Sequence, residues 1–198
     1  MAFRSDCRLV KLVLGLCVLM TAASGPAYAD EVSGTITAEP TDRPDLGNYK
    51  YTFSFSWDTS QGLSHVDLLL SVLACTAFCD GTAPILFPSP AGSTISTCEA
   101  FFGGALRCTG DPSVDEIGVL LKFERLADEE CLPGKQGTGT FVFYTNLPPR
   151  ASQTYEDVIL IKNGRFKDYG DLVGQLPGCQ LTNPTEDNSW GRIKTIFR

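Results

Sequence analysis

His65 is the only histidine in the chain, so every histidine-dependent scheme rests on it. A nucleophilic triad needs a serine, a base and an orienting acid that meet in space. Ser64 is adjacent to His65 and therefore points to the opposite face of a strand. Asp67 lies two residues on and shares the face of His65, which permits a His–Asp contact. The plainer expectation is a surface or edge histidine beside an acid. Paired carboxylates offer a second chemistry, glycosidic hydrolysis by an acid and a base or nucleophile. Asp111, Asp115, Glu116, Asp128, Glu129 and Glu130 are candidates, but no spacing selects two of them. Asp111, Asp115 and Glu116 also have the oxygen chemistry that Ca²⁺ prefers, without matching an EF-hand loop. The stretch Gly134-Lys135-Gln136-Gly137-Thr138-Gly139-Thr140 superficially suggests a phosphate cradle. A P-loop needs lysine and serine or threonine after its second glycine, and Gly139 is followed by Thr140. A flexible loop leading into a strand at Phe141 is the expectation. No residue is assigned as catalytic, cofactor-binding or metal-ligating, and no cofactor is implied.

The cysteines carry a clearer signal. Residues 1–29 read as a cleavable signal peptide: Arg4, Arg8 and Lys11, an uncharged run from Leu12 to Ala23, then Ala27-Tyr28-Ala29. Asp30 is the expected mature N-terminus of a domain over residues 30–198. Cys7 and Cys17 leave with the signal. Cys75, Cys79, Cys98, Cys108, Cys131 and Cys179 remain, an even set that reads as three disulfides in an exported chain. Zinc on the Cys75 and Cys79 pair is the rival, weakened by the lack of a second close pair. A local Cys98–Cys108 bridge is expected, closing a hairpin turned over Phe102-Gly103-Gly104, with Cys75, Cys79 or Cys131 as competing partners.

Loss of the signal leaves 13 basic and 22 acidic residues, a net charge of −9. That charge argues against nucleic acid or an anionic membrane as the main partner. No sequon for N-glycosylation is present, since Pro184 interrupts Asn183-Pro184-Thr185.

The elements that position these residues are β-strands. Tyr49, Tyr51, Phe53, Phe55 and Trp57 alternate with Lys50, Thr52, Ser54 and Ser56, a period of two. The aromatics are assigned to a core rather than to a ligand-stacking platform. Further strands are expected at Val32–Thr37, His65–Leu73, Pro84–Phe87, Ser96–Phe102, Val119–Glu124, Phe141–Tyr144, Asp157–Lys162 and Arg165–Tyr169. Asn163-Gly164 is the expected hairpin turn between the last two. Loops are expected at Glu39–Gly47, Pro88–Gly92, Cys131–Gly139 and Leu147–Gln153. The tail from Asp187 to Arg198 fits a strand slightly better than a helix.

The fold expected is all-β: a single antiparallel β-sandwich, Ig-like or jelly-roll-like, of about eight or nine strands. The function expected is a secreted or periplasmic, non-enzymatic binding or surface-structural module for an extracellular protein or carbohydrate. The alternatives are a small polysaccharide-active hydrolase using paired carboxylates, and an extracellular enzyme inhibitor. No membrane span is expected in the mature chain.

Overall fold

The computed structural model describes residues 31–70, 76–153 and 157–178. The signal-like segment, Cys75, Cys179, Trp190 and the tail from Asp187 to Arg198 lie outside the described residues. The order of elements is β1 (Glu31–Pro40), β2 (Tyr49–Asp58), β3 (His65–Leu69), α1 (Thr76–Cys79), β4 (Gly92–Ile95) and β5 (Glu99–Arg107). Then come β6 (Leu120–Arg125), β7 (Gln136–Thr145), β8 (Pro149–Ala151), β9 (Val158–Asn163) and β10 (Phe166–Pro177).

The strands form one closed barrel rather than the two open sheets of a sandwich. Nine of them follow one another as β1-β2-β7-β4-β5-β6-β3-β9-β10, and β10 pairs back onto β1. That closing pair is parallel, with Ser33 beside Asp171 and Ile36 beside Gly174. Every other neighbouring pair around the wall is antiparallel. The short β8 adds to the far end of β10 and is tied to the start of β9 by a bidentate Arg150–Asp157 pair at 2.6 and 2.8 Å. A sandwich and a barrel ask the same thing of each strand, one face in and one face out. The alternating pattern therefore predicts either, and the parallel closure of distant termini decides between them.

The barrel is filled by its own side chains. Tyr51, Phe53, Phe55 and Trp57 all point inward and are at most 4% exposed, while Tyr49 at the strand's start is half-buried. Phe123 and Phe141 stack at 4.3 Å between ring centroids, and Phe53 and Phe55 at 5.2 Å. Phe102, Phe143, Leu68, Leu121, Ile159 and Ile161 complete the packing. Each buried aromatic removes some 150–250 Å² from water, so this column of rings is the main stabilising feature of the fold.

Gly137 and Gly139 on β7 sit directly across from Trp57 and Phe55. A β-carbon at either would fall inside the van der Waals contact of those rings. Close approach of an aromatic ring, not a phosphate, accounts for that glycine spacing.

Among the described residues two disulfides are formed: Cys79–Cys108, with Cα atoms 5.8 Å apart, and Cys98–Cys131, at 6.0 Å. They overturn the expected Cys98–Cys108 bridge. They also remove Cys79 as a zinc ligand. The reason is that β5 runs unbroken from Glu99 to Arg107, through Gly103 and Gly104, instead of turning there. Disulfides of this kind suit an oxidising compartment. The β9–β10 hairpin forms, but its turn is Gly164-Arg165, because Asn163 pairs with Phe166. Gly164 takes φ +60°, as the first central position of a type II′ turn requires. Pro84–Phe87 is not a strand; Leu86 makes a single bridge to Tyr144. No helix among the described residues is long and apolar enough to cross a membrane.

Candidate functional site

Two features of the barrel bring polar groups together, one on its rim and one on its outer wall. The rim site lies where β2 and β4 end and β7 begins. A cleft of about 830 Å³ is lined there by Asp58, Thr59, Ser60, Ser96, Thr97, Gly134, Lys135 and Gln136. Its walls are held from several sides. The Trp57 indole N–H donates to the Gly134 carbonyl at 3.0 Å. The Ser96 hydroxyl donates to the Gln136 carbonyl at 2.6 Å and accepts the Gly134 N–H at 2.8 Å. The Thr59 N–H donates to the Lys135 carbonyl at 2.9 Å. Gln136 Nε2 donates to Asp58 Oδ2 at 2.8 Å. The Cys98–Cys131 bridge fastens the chain next to Thr97 to the segment that leads into Gly134. Thr97, Ser60 and Lys135 remain exposed. The cleft thus presents hydroxyls, an ammonium, a carboxylate and an amide on a backbone fixed before any ligand arrives.

The wall site lies on the outer face of β3 and β6. His65 and Asp67 alternate outward on β3, and Lys122 stands directly across from Asp67 on β6. The segment from Cys108 to Val119 crosses over them from the end of β5. It is fixed by Cys79–Cys108 at its start. Further along, Glu116 is held by Lys167 at 2.6 Å and by the Tyr169 hydroxyl, both on β10. Lys162 and Lys167 also donate to the carbonyls of Ser113 and Val114. This crossing buries the outer face and inserts Asp111 into it. His65 is 4% exposed and Asp67 fully buried, which corrects the expectation of a surface histidine.

Within the cluster, His65 Nε2 lies 3.2 Å from Asp111 Oδ2 and 3.5 Å from Asp67 Oδ2. Lys122 Nζ lies 2.9 Å from Asp111 Oδ2 and 3.6 Å from Glu124. Burial pushes the Asp67 carboxyl above the usual carboxylate range, against the pull of His65. Burial also works on Asp111, but the Lys122 ammonium and the donors of Ser113 outweigh it and hold that carboxyl down at about 2. Neighbouring carboxylates thus respond oppositely, because Asp111 has the Lys122 ammonium and the Ser113 donors while the pull of His65 on Asp67 is outweighed by burial.

Of the other acids named in the sequence, Asp128 and Glu129 share one small hollow, and Asp115 and Glu116 lie apart from it. Asp115 is exposed, at φ +57° in the crossing segment. Glu116 is engaged by Lys167 and Tyr169. Glu129 accepts the backbone N–H groups of Phe101 and Cys131, and Asp128 lies beside it at the edge of a smaller hollow with Pro90, Phe101 and Leu126. Asp111, Asp115 and Glu116 therefore do not form the oxygen cage expected for Ca²⁺. The joining of Asp111 to His65 and Asp67 had no local signal in the sequence beyond the shared face of the latter two. No protein-family model matches the chain, and neither a curated protein nor a solved structure is similar to it.

Proposed function

We propose that this chain is an exported, non-enzymatic binding module that recognises a polar extracellular ligand, a carbohydrate or a peptide, at the rim cleft. The observation that carries this reading is the contrast between rim and interior. Barrels that carry a ligand inside leave room among the inward side chains, and here that room is taken by aromatic rings. The rim instead offers an open, polar-lined hollow whose backbone is already ordered, so a ligand there pays little to organise its site.

Asp58 is the only carboxylate lining the cleft among the described residues, and hydrolysis by paired carboxylates needs two. The acids that do cluster, Asp67 and Asp111, are buried where a polysaccharide does not reach. Trp57 is buried as well, so it offers no stacking platform. Export rests on the signal-like segment and is consistent with the two disulfides.

The test is a panel of immobilised oligosaccharides and peptides probed with the wild-type protein and with Thr97→Trp, which fills the cleft from an exposed position. Binding should fall by about tenfold or more in the variant, with an unchanged thermal midpoint. Undiminished binding in Thr97→Trp, or turnover of a bound oligosaccharide, would contradict the reading.

A further inference from the structure

The outer wall of β3 and β6 buries four ionisable groups where a barrel of this size would ordinarily place solvated or apolar side chains. Neither oxygen of Asp67 has a hydrogen-bond partner, and neither does His65 Nε2. Both side chains are more than nine-tenths buried, and His65 Nε2 and Asp67 Oδ2 face each other at 3.5 Å. An unpartnered buried carboxylate is strongly disfavoured unless something charged compensates it. Lys122 stands across from Asp67 but makes its close contacts with Asp111 and Glu124. One ligand atom from each of His65, Asp67 and Asp111 lies within 4.8 Å of the others.

We propose that His65, Asp67 and Asp111 bind one divalent transition-metal ion of the zinc class, which clamps the Cys108–Val119 segment to the barrel wall. Bonds of 2.0–2.2 Å in a tetrahedral arrangement set ligand atoms about 3.3–3.6 Å apart. The two measured separations from His65 Nε2, 3.2 and 3.5 Å, already stand at or near that spacing. An imidazole with two carboxylates suits zinc or a neighbouring first-row ion. It suits Ca²⁺ poorly, since that ion takes six to eight oxygens at longer range. Charge agrees: the carboxylates of Asp67, Asp111 and Glu124 together offset the Lys122 ammonium and a double positive charge. The support around Asp111 is that of a metal ligand held from outside. Its Oδ1 accepts the Ser113 N–H at 2.8 Å, and its Oδ2 faces Lys122. Because the site is covered, the ion's role is to hold structure, not to meet a substrate. The site is distinct from the rim cleft and does not depend on what binds there.

The competing occupant is a proton on His65, shared with the carboxylates. The experiment uses the full exported chain, untagged and with its disulfides formed, dialysed against a chelator and titrated with Zn²⁺ alone. Calorimetry counts the sites while ¹⁵N NMR follows the imidazole, whose signals are unambiguous because the chain has a single histidine. One equivalent should bind, the His65 Nε2 resonance should move to a metal-bound position, and the thermal midpoint should rise by several degrees. Asp67→Asn should fold, with a metal-free midpoint at or above that of wild type, and lose zinc affinity by about a hundredfold. The exposed Asp115→Asn should bind as wild type does. The proposal is overturned if no equivalent binds, or if His65 stays an imidazolium in the presence of zinc. It is equally overturned if zinc binds without moving the His65 signal, or if Asp67→Asn binds zinc undiminished. Should Asp67→Asn not fold, His65→Gln takes its place in the affinity comparison, and the wild-type His65 signal decides in any case.

Discussion

At the scale of single residues, the inward aromatics and the glycines facing them act as complementary pairs. Phe53 is fully buried and touches Phe55, Phe123 and Phe141. Truncation to alanine leaves a ring-sized void in a closed barrel that has few ways to collapse. Phe53→Ala should therefore cost about 3–5 kcal/mol, read by denaturant unfolding. A midpoint within a degree or two of wild type would reject the core role. Aromatic alternation in β2 made this assignment readable from sequence alone. The glycines were not readable in the same way. Gly103-Gly104 resembles a turn, yet it lies within β5, where a β-carbon on Gly104 would collide with the Phe87 ring. A glycine that bends a chain and a glycine that admits a ring look identical until the neighbouring strand is known.

At the scale of elements, the Cys108–Val119 segment is the one most dependent on a few anchors. It covers the wall cluster, and it is held to β10 by Glu116 and by the Val114 carbonyl, both bonded to Lys167. Burial raises the Glu116 carboxyl, but Lys167 and Tyr169 more than offset this and leave it below the usual range. A carboxylate held low contributes stability that is fully present above its unfolded value, about 4.3. That contribution is lost as the pH falls through the lower folded value. Protection of residues 109–118 from hydrogen exchange, taken relative to intrinsic exchange at the same pH, should accordingly fall below about pH 4, and Glu116→Gln should lower it in the same way at neutral pH. The pair is part-exposed, so the global cost of Glu116→Gln should be only about 0.2–1 kcal/mol.

The other anchor of this segment is the Cys79–Cys108 bridge, which closes a 29-residue separation. Its replacement by two alanines should lower stability by about 3–4 kcal/mol through the freed unfolded chain. An unchanged unfolding free energy in the double variant would show that the bridge constrains nothing. The segment's path was hidden in the sequence for a physical reason. Asp111 lies more than forty residues from His65, and the bridge, the closed wall and the contacts from β9 and β10 bring them together. The β4 strand was hidden too. Gly92-Ser93-Thr94-Ile95 is short and little hydrophobic, and it counts as a strand because β5 and β7 flank it on both sides.

At the scale of the whole molecule, closure explains why the proposed ligand site lies on the rim and not inside. The β1–β10 pairing removes the free edges that an open sandwich would present. The aromatic column removes the interior as a binding volume. Most strands (though not β4 or the bounds of β5), the two-faced pattern and the even cysteine count were legible because they follow from local periodicity and composition. Closure, disulfide partners and the rim cleft were not, because each depends on which distant strands become neighbours. The central claim, recognition at the rim of a filled barrel, is tested most directly by crystals of the protein soaked with monosaccharides and dipeptides. The account predicts bound density in the cleft, against Asp58, Thr97 and Lys135. Density inside the barrel between Phe53 and Phe141, or confined to another face with the cleft left empty, would contradict it.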